Sequence, residues 1–297
     1  MKILECIPNF SEGRDLDKIE AIVQEARRTQ GVKLLDYFSD PDHNRTVVTF
    51  IGEPDPVRKA ALNLSLKALE LIDMRGHKGE HPRIGAVDVV PFVPIRGMDM
   101  SHAVHVAREF GEELGEKGEV PIFFYAAAAT DPKRTRLADI RKGQYEGLAE
   151  KLENPGWAPD AGYKTFNPKS GATVVGARFP LIAFNVNLKT RDLDRAKRIA
   201  KKIRESSGGI PSVQAIGLEL KDREMVQVSM NLLDYRQASI PRVVESIRAE
   251  LAGTGVEIGE TELVGLLPLE ALEEVARFYL KLPEFDSSQI IESHLLE

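Results

Sequence analysis

Two histidines and a glutamate lie close together in the sequence, at His77, Glu80 and His81. Their order fits the pattern H-x-x-E-H, which on a helix places both imidazoles on one face, where they can hold zinc. Gly79 lies between the histidines, and Pro82 disfavours helical geometry for the residue before it. No further acidic or histidine motif offers a clear third ligand. We therefore predict a loop over this stretch and no metal site.

The same loop has the residue types needed for proton transfer to an anionic substrate. Histidine is the side chain best suited to proton transfer near neutral pH. His81 lies between Glu80 and Pro82, which restrict its backbone and favour a fixed side chain. Arg75 and Arg83 flank the histidines and suit the binding of carboxylates. A solvated side chain is the alternative for one isolated loop histidine, so the grouping is what makes this loop a candidate active site.

Polar residues at two strand ends are further candidates. Asn9 ends the first apolar segment, and Asn44 and Arg45 precede another. Asparagine also serves simple turn chemistry, which is the alternative interpretation of both positions. His43 lies in the same turn, and we expect it to be solvated.

Asp88 interrupts the apolar run at 84–95. A buried carboxylate is costly unless it is paired or hydrogen-bonded. It either orients His81 or a lysine, or satisfies a nearby backbone group, and the sequence leaves these alternatives open.

A glycine-rich segment, FNPKSGATVVGARF at 166–179, is a second candidate for ligand binding. It matches neither the Walker A loop nor G-x-G-x-x-G, so no nucleotide fingerprint is present. Gly171 and Gly176 would let backbone amides approach a flat ligand. The neighbouring rings of Tyr163 and Phe166 suit a heteroaromatic group.

Composition restricts the class of protein. The 297 residues suggest about two domains, and 42% apolar with 29% charged residues is ordinary for a globular chain. A net charge of −6 argues against general nucleic-acid binding, which needs a basic face. Cys6 is the only cysteine, which fits a reducing compartment. Because no apolar run approaches the ~20 residues of a membrane span and no signal peptide is evident, we expect a cytoplasmic protein without membrane contact.

Hydrophobic periodicity predicts the order β-α-β-β-α-β in each half of the chain. In the first half, strands are expected at 2–10, 32–38, 45–52 and 84–95, with helices after the polar residues 11–15 and over 56–74. In the second half, strands are expected at 178–188, 213–220, 225–233 and 262–268, with helices at 192–206, 241–253 and 269–281 and a turn at 221–224.

This order predicts an α+β fold of two tandem ferredoxin-like (βαββαβ) subdomains, with antiparallel sheets and helices on the outer faces. We place them at 1–153 and 181–297, joined by a connector at 154–180 that follows a charged, helical stretch. The aromatic residues Trp157, Tyr163 and Phe166 favour an ordered ligand-binding loop, whereas the alternative is a plain interdomain connector.

Six separated blocks resemble the formiminotransferase family, in the family's order. They are CIPNFSEG, NRTVVTF, LIDMRGHKGEHPRIGAVDVVPFVP, YEGL, GWAPDAGYKTFNPKSGATVVGAR and LIAFNVNL, and the resemblance covers residues 3–280. Its members are glutamate formimidoyltransferases, found alone or as the N-terminal part of formimidoyltransferase-cyclodeaminase, whose cyclodeaminase part we do not expect here. The resemblance implies a homodimer of paired ferredoxin-like subdomains that hold a folate between their sheets.

The resemblance also implies which residues form the site. It gives the catalytic role to His81, in the block GEHPR. It implies folate binding by Gly162, Tyr163, Lys164, Thr165, Phe166, Asn167, Pro168, Lys169, Ser170 and Gly171. The candidates for binding the other substrate are Asn9, Asn44, Arg45, Arg83 and Arg178. The loop at 37–43 departs from the animal enzymes, so acidic contacts are not carried over to it.

The implied reaction transfers the formimino group of N-formimino-L-glutamate to N5 of tetrahydrofolate, the co-substrate, without a metal. One histidine can serve first as base and then as acid, and holding both small molecules together supplies proximity. One alternative is a formyl variant that acts on formylglutamate or 5-formyltetrahydrofolate. The other is an RNA-binding ferredoxin-like module, which is disfavoured because the strands at 45–52 and 225–233 offer one phenylalanine for base stacking.

Overall fold

The protein is described by a computed structural model that covers residues 1–220 and 223–295. The chain forms two compact units, Met1–Arg178 and Phe179–Glu297. Of the turn predicted at 221–224, Lys221 and Asp222 lie outside the described residues. In the described part of the chain, no helix has both the length and the apolar character that crossing a membrane requires.

The first unit begins with the expected βαββαβ arrangement. Its elements are β1 (Ile3–Cys6), β2 (Asn9–Phe10), α1 (Leu16–Arg27), β3 (Val32–Asp40), β4 (Arg45–Gly52), α2 (Pro54–Leu71) and β5 (Val87–Arg96). β1 and β2 both pair with β4 and β5, so they act as one interrupted strand in the antiparallel order β3-β4-β1/β2-β5. Asp15 begins α1 by accepting a hydrogen bond from the backbone N–H of Lys18, as its polar caps predict.

Further elements then extend this sheet on its β5 side. They are α3 (Met100–Lys117), β6 (Pro121–Ala126), α4 (Leu137–Arg141), α5 (Leu148–Glu153), β7 (Ala161–Gly162) and β8 (Thr173–Ala177). β8 lies between β5 and β6 and is parallel to both, so the sheet of this unit is mixed, and the expectation of a purely antiparallel sheet is wrong at these two pairings. The reason is that α3 and the chain after β6 are long crossovers, which return the chain to pair in the same direction.

The segment 154–180, expected to be a connector, is mostly part of the first unit. It contains β7 and β8, and the division between the units falls after Arg178. All five residues of β8 are buried. A continuous apolar run is typical of a parallel strand covered on both faces, which explains why alternation did not reveal it.

Residues of β6 and β8 point alternately into two separate cores of this unit. Phe124 and Val175 pack with α2 and α3 on one face of the sheet. Phe123 and Val174 pack on the opposite face, where the chain between β6 and β8 covers them with Trp157. Trp157 and Phe166 therefore pack this long segment against the sheet, whereas Tyr163 is exposed.

The second unit confirms the ferredoxin-like arrangement in its simplest form. Its elements are β9 (Ile182–Leu188), α6 (Leu193–Ile203), β10 (Val213–Leu220), β11 (Met225–Leu232), α7 (Ile240–Leu251), β12 (Ile258–Val264) and α8 (Leu269–Leu280). The strands pair in the antiparallel order β10-β11-β9-β12. Asp192 begins α6 by accepting a hydrogen bond from the backbone N–H of Arg195.

Candidate active site

The two histidines of the H-x-x-E-H match lie on a loop, as predicted. Residues 77–86, which we call the histidine loop, follow a short 3-10 turn at Met74–Gly76 and lead into β5 without any helical turn. The zinc pattern therefore lacks the helix that would bring its ligands together. Within the described residues, no group of three or more metal-ligating side chains occurs.

The 162–171 segment is hydrogen-bonded to the turn just before the histidine loop and to the last residue of the loop. In the 3-10 turn before the loop, the backbone N–H of Met74 donates to the carbonyl of Lys169 over 2.8 Å. At its end, the backbone N–H of Ala86 donates to the carbonyl of Ser170, also over 2.8 Å. The structure thus brings together the two segments that the sequence proposed separately, one for proton transfer and one for folate.

Two glycines allow this close approach. Gly171 has φ +69°, and a Cβ atom on it would lie 2.2 Å from the carbonyl oxygen of Ile84. A Cβ atom on Gly85 would lie 2.2 Å from the carbonyl oxygen of Ala172. Any larger residue at either position must push the two backbones apart, so these glycines set the spacing of the site.

Asn44 joins three segments around the site. Its φ of +49° lies in the left-handed region, which asparagine tolerates better than most residues. Its Oδ1 accepts from the backbone N–H of Gly13 over 2.9 Å, and its Nδ2 donates to the carbonyl of Lys78 over 3.0 Å. Both polar atoms of the side chain are thus used in positioning the histidine loop.

His81 faces the guanidinium of Arg45. Arg45 Nη1 lies 2.5 Å from His81 Nε2. A guanidinium can only donate, so Nε2 must accept, which makes the ring neutral with its proton on Nδ1. That Nδ1 is buried and has no hydrogen-bond partner among the described residues. Burial, followed by the positive charges of Arg45 and Arg141, lowers the pKa of His81 to about 3.

Asp88 resolves the alternatives that the sequence left open. Its Oδ1 accepts from the backbone N–H of Ile84 over 2.9 Å, and its Oδ2 forms an ion pair with Arg141. It therefore satisfies the loop backbone and, instead of contacting His81, holds Arg141 in place. Sequence reasoning missed Arg141, and the only available signal was the charged helical stretch in which it lies.

His77 and Arg83 belong to a second hydrogen-bonded group. Arg83 Nε donates to His77 Nδ1 over 3.3 Å, and its Nη2 pairs with Glu146 at 2.6 Å. Arg83 Nη1 also donates to Gln144, while His77 Nε2 donates to the carbonyl of Asn44. Burial lowers the pKa of His77 from its usual value. With its donors occupied, the buried Arg83 serves here to position the loop.

His43 is hydrogen-bonded to a carboxylate and remains partly exposed to solvent. Its Nδ1 lies 2.6 Å from Asp40 Oδ2, while its ring stands edge-on to that of His81 with the centroids 5.9 Å apart. The side chain remains 45% exposed. His43 therefore borders the site from the turn between β3 and β4.

The 162–171 segment has an ordered surface of rings and backbone groups. Phe166 packs against Tyr145 with ring centroids 5.6 Å apart, and the Tyr145 hydroxyl donates to the carbonyl of Pro168. Tyr163 is exposed, and Asn167 caps the turn by accepting from the backbone N–H groups at 169 and 170. Lys164 and Thr165 are exposed.

Asn9 lies on β2, which pairs with β4 and β5 next to Arg45 and Asp88, and Arg178 directly follows β8. Asn9 is buried in β2, and its Nδ2 donates to the carbonyl of Ile7 over 2.9 Å. Arg178 follows β8, and its positive charge opposes the rise that burial causes in the pKa values of Glu5 and Tyr125.

The amino-acid sequence of both units matches the models of one family along nearly the whole chain. The N-terminal subdomain of the formiminotransferase domain matches residues 3–178, and the formiminotransferase domain proper matches residues 183–295. The chain therefore belongs to the formiminotransferase family, and it is a transferase by class.

Similar proteins cover the chain almost completely. It is 47% identical to the glutamate formimidoyltransferase of Streptococcus pyogenes serotype M1, over 99% of both chains. It is 45% identical to the glutamate formimidoyltransferase of Thermoplasma acidophilum, over 98% of this chain and 97% of that one. It is also 45% identical to the formimidoyltransferase-cyclodeaminase of Rattus norvegicus, over 94% of this chain but 52% of the rat protein.

Proposed function

We propose that this protein transfers the formimino group of N-formimino-L-glutamate to N5 of tetrahydrofolate, with His81 as acid and base. The glutamate formimidoyltransferases to which it is 45–47% identical support the donor, and the family supports tetrahydrofolate as co-substrate. The observation that carries the proposal is that the 162–171 segment is hydrogen-bonded both to the turn before the histidine loop and to the end of that loop. Catalytic and folate-binding groups would then be held at a fixed spacing, which supplies proximity.

The residues around the segment fit a flat ligand with a polar rim. Tyr163 exposes its ring, and the Phe166–Tyr145 pair offers an apolar edge. The backbone of the Gly171 turn approaches the loop without side chains in the way. In this proposal, these groups would hold the ring system of the folate, which supplies the nucleophilic nitrogen when it is bound.

His81 provides the proton transfers that exchange of nitrogens at an amidine carbon requires. One proton must leave the attacking nitrogen, and one must reach the nitrogen of the departing glutamate. Nε2 of the neutral ring accepts the first proton and returns it to the glutamate nitrogen as the old C–N bond breaks. The ring ends neutral, so it is ready for the next turnover.

A metal-free site agrees with the hydrogen bonds of both histidines. His77 uses one nitrogen with Arg83 and the other with the carbonyl of Asn44, while Nε2 of His81 faces the cationic Arg45. A second cation at this position would be repelled. We therefore expect activity to survive dialysis against a chelator, and activity lost on dialysis and restored by zinc would refute this part.

The test of the reaction is the absorbance of 5-formiminotetrahydrofolate, formed from N-formimino-L-glutamate and tetrahydrofolate. N-formyl-L-glutamate serves as the matched donor, because it differs only in the transferred group. Faster turnover with the formyl donor would replace the proposal by the formyl variant. The family resemblance also supports a homodimer, which light scattering of the purified protein measures directly.

The test of the folate segment is amide exchange with and without folinate. We expect slower exchange over residues 162–171 at saturating folinate, because a bound ring covers this backbone. α1 is the internal control, since it packs on the helical face of the sheet and should exchange alike in both samples. Unchanged exchange over 162–171 at saturation would remove this segment from the site.

A further inference from the structure

The guanidinium of Arg45 contacts a histidine ring, whereas three other enclosed arginines of the first unit pair with carboxylates. Arg83 pairs with Glu146, Arg134 with Asp160 and Arg141 with Asp88. Within the residues that the structure describes, Arg45 has no carboxylate at ion-pair distance, and its guanidinium contacts the His81 ring instead. A half-buried cation against a neutral acceptor is incompletely satisfied, so it is a ready site for an anion.

The same contact occupies the atom of His81 that the reaction needs. Nε2 has a single lone pair, and in this arrangement the N–H of Arg45 points at it. Nδ1 carries the ring proton and has no partner within the described chain. His81 therefore cannot accept a proton until Arg45 withdraws.

We propose that Arg45 acts as a substrate-operated switch: a carboxylate of the amino-acid donor draws the guanidinium away from His81 Nε2 and so frees the base. This inference rests on the proposed function, because it presupposes that His81 is the acid and base for a glutamate-derived donor. A bidentate carboxylate is a much better partner for a guanidinium than an imidazole is, so binding of the donor supplies the driving force. Arg45 thus binds the carboxylate of the donor itself, and it controls the base because this binding releases His81 Nε2.

The charges around His81 make the basicity of its ring depend on the binding of a donor carboxylate to Arg45. Arg45 from β4, Arg141 from α4 and His43 from the β3–β4 turn face the ring and oppose its protonation. Asp88 and Asp40 lie near enough to stabilise the charge of Arg45, but Asp88 is already paired with Arg141 and Asp40 is hydrogen-bonded to His43. A carboxylate brought in by the donor adds the missing negative charge, which raises the pKa of His81 toward its ordinary value as it frees the lone pair.

The switch predicts a requirement on the donor. An amidine without a carboxylate, such as formamidine, cannot compete with His81 for Arg45. We expect such a donor to be used poorly even at concentrations that fill the site, because the base stays blocked. Weak binding alone would raise KM, whereas a blocked base also lowers kcat.

The experiment is a titration of His81 by NMR in protein labelled with ¹⁵N-histidine, with the signal assigned from its loss in His81→Gln. In the free wild-type protein we expect a neutral ring with the proton on Nδ1 that does not titrate down to pH 5. Saturating L-glutamate, the product that carries the same carboxylates, should bring the titration above pH 5. Arg45→Gln should do so without ligand and should remove the response to glutamate.

Two variants control this test. Arg45→Lys keeps the positive charge, so His81 should stay harder to protonate than in Arg45→Gln. Arg27→Gln removes an exposed arginine that pairs with Glu20 on α1, and it should titrate as the wild type does. An unchanged His81 titration in Arg45→Gln would overturn the switch, and this measurement needs neither ligand nor turnover. Loss of the proposed function would be seen separately, as a wild-type protein that forms no 5-formiminotetrahydrofolate.

Discussion

The two units of this protein have the same βαββαβ order but differ in the chain between the second helix and the fourth strand. In the first unit this connection, residues 72–86, contains the histidine loop. In the second unit the equivalent connection, residues 252–257, is short and carries one glutamate as its only charged group. The first unit also adds β6, β7 and β8, whose connections supply Arg141, Tyr145 and the 162–171 segment. The shared fold is a scaffold, and the proposed active site is built from what one copy adds to it.

The largest effect should come from removing the proton acceptor of the first unit. We expect His81→Gln to lower kcat by ~10² to 10⁴-fold, because glutamine keeps hydrogen bonding but has no basicity. Folate affinity should change much less. The assay is formation of 5-formiminotetrahydrofolate, with folinate binding measured by calorimetry.

His105 is the matched control for this substitution. It lies exposed on α3, beside Glu109, so His105→Gln should leave kcat unchanged. His77→Ala is a poorer control, since that ring bonds to Arg83 and to the carbonyl of Asn44. Near-normal turnover in His81→Gln would rule out its assigned role.

Breaking an ion pair should cost more free energy of unfolding in the first unit than in the second, because the pair in the first unit is buried and the pair in the second is exposed. Arg141→Met should lower the free energy of unfolding of the first unit by about 3–5 kcal/mol, because it leaves Asp88 as an unpaired charge with 1% of its side chain exposed. Urea unfolding followed by the fluorescence of Trp157, the only tryptophan, reports on this unit.

The comparison variant lies in the second unit. Lys202→Met breaks an exposed pair with Glu250 and should cost about 1 kcal/mol or less, measured by circular dichroism. Adding Asp88→Asn to Arg141→Met should restore part of the lost stability, because the buried charge is removed. Equal costs for Arg141→Met and Lys202→Met would contradict the burial argument.

The sequence predicted local elements well and non-local pairings poorly. β4 and β10 begin and end where their apolar patterns predict. α3 and β6 were missed because the preceding βαββαβ pattern is complete without them. β8 lies in the segment that the sequence predicts to be a glycine-rich connector, because its burial depends on β5 and β6, far away in the sequence.

The candidate site shows the same division. His81 and the 162–171 segment could be named from sequence blocks, but their attachment to each other depends on backbone hydrogen bonds between distant residues. The contact of Arg45 with His81 joins positions 36 residues apart. Periodicity places Arg45 at the start of a strand, yet it cannot say which side chain the guanidinium meets.

A smaller effect should come from the glycine that joins the two segments. Gly171→Ala should destabilise the first unit through its positive φ and through collision with Ile84. Gly208→Ala in the second unit is matched in backbone conformation, with φ +84°, but has open space around it. It should cost only the ~1–2 kcal/mol of a left-handed alanine, so the excess for Gly171→Ala measures the close approach. If both variants lose the same stability, and both keep full activity, the spacing of the site does not depend on Gly171.

The smallest effect we expect is a difference in pH dependence, because the ring of His81 is only partly buried and solvent screens it. The pKa of His81 is about 3 in the folded protein, below the ~6.5 of an unfolded chain. Between these values the unfolded state binds a proton that the folded state does not, so the free energy of unfolding falls as pH falls below ~6.5. His77, whose pKa is also lowered, acts in the same direction.

His81→Gln should therefore lose less stability than the wild type between pH 6.5 and 4.5, in urea unfolding followed by the fluorescence of Trp157. The second unit contains only His294, so its unfolding should show little histidine-dependent slope in this range. Parallel curves for wild type and His81→Gln would mean that His81 is protonated alike in both states, which is incompatible with a neutral ring held against Arg45.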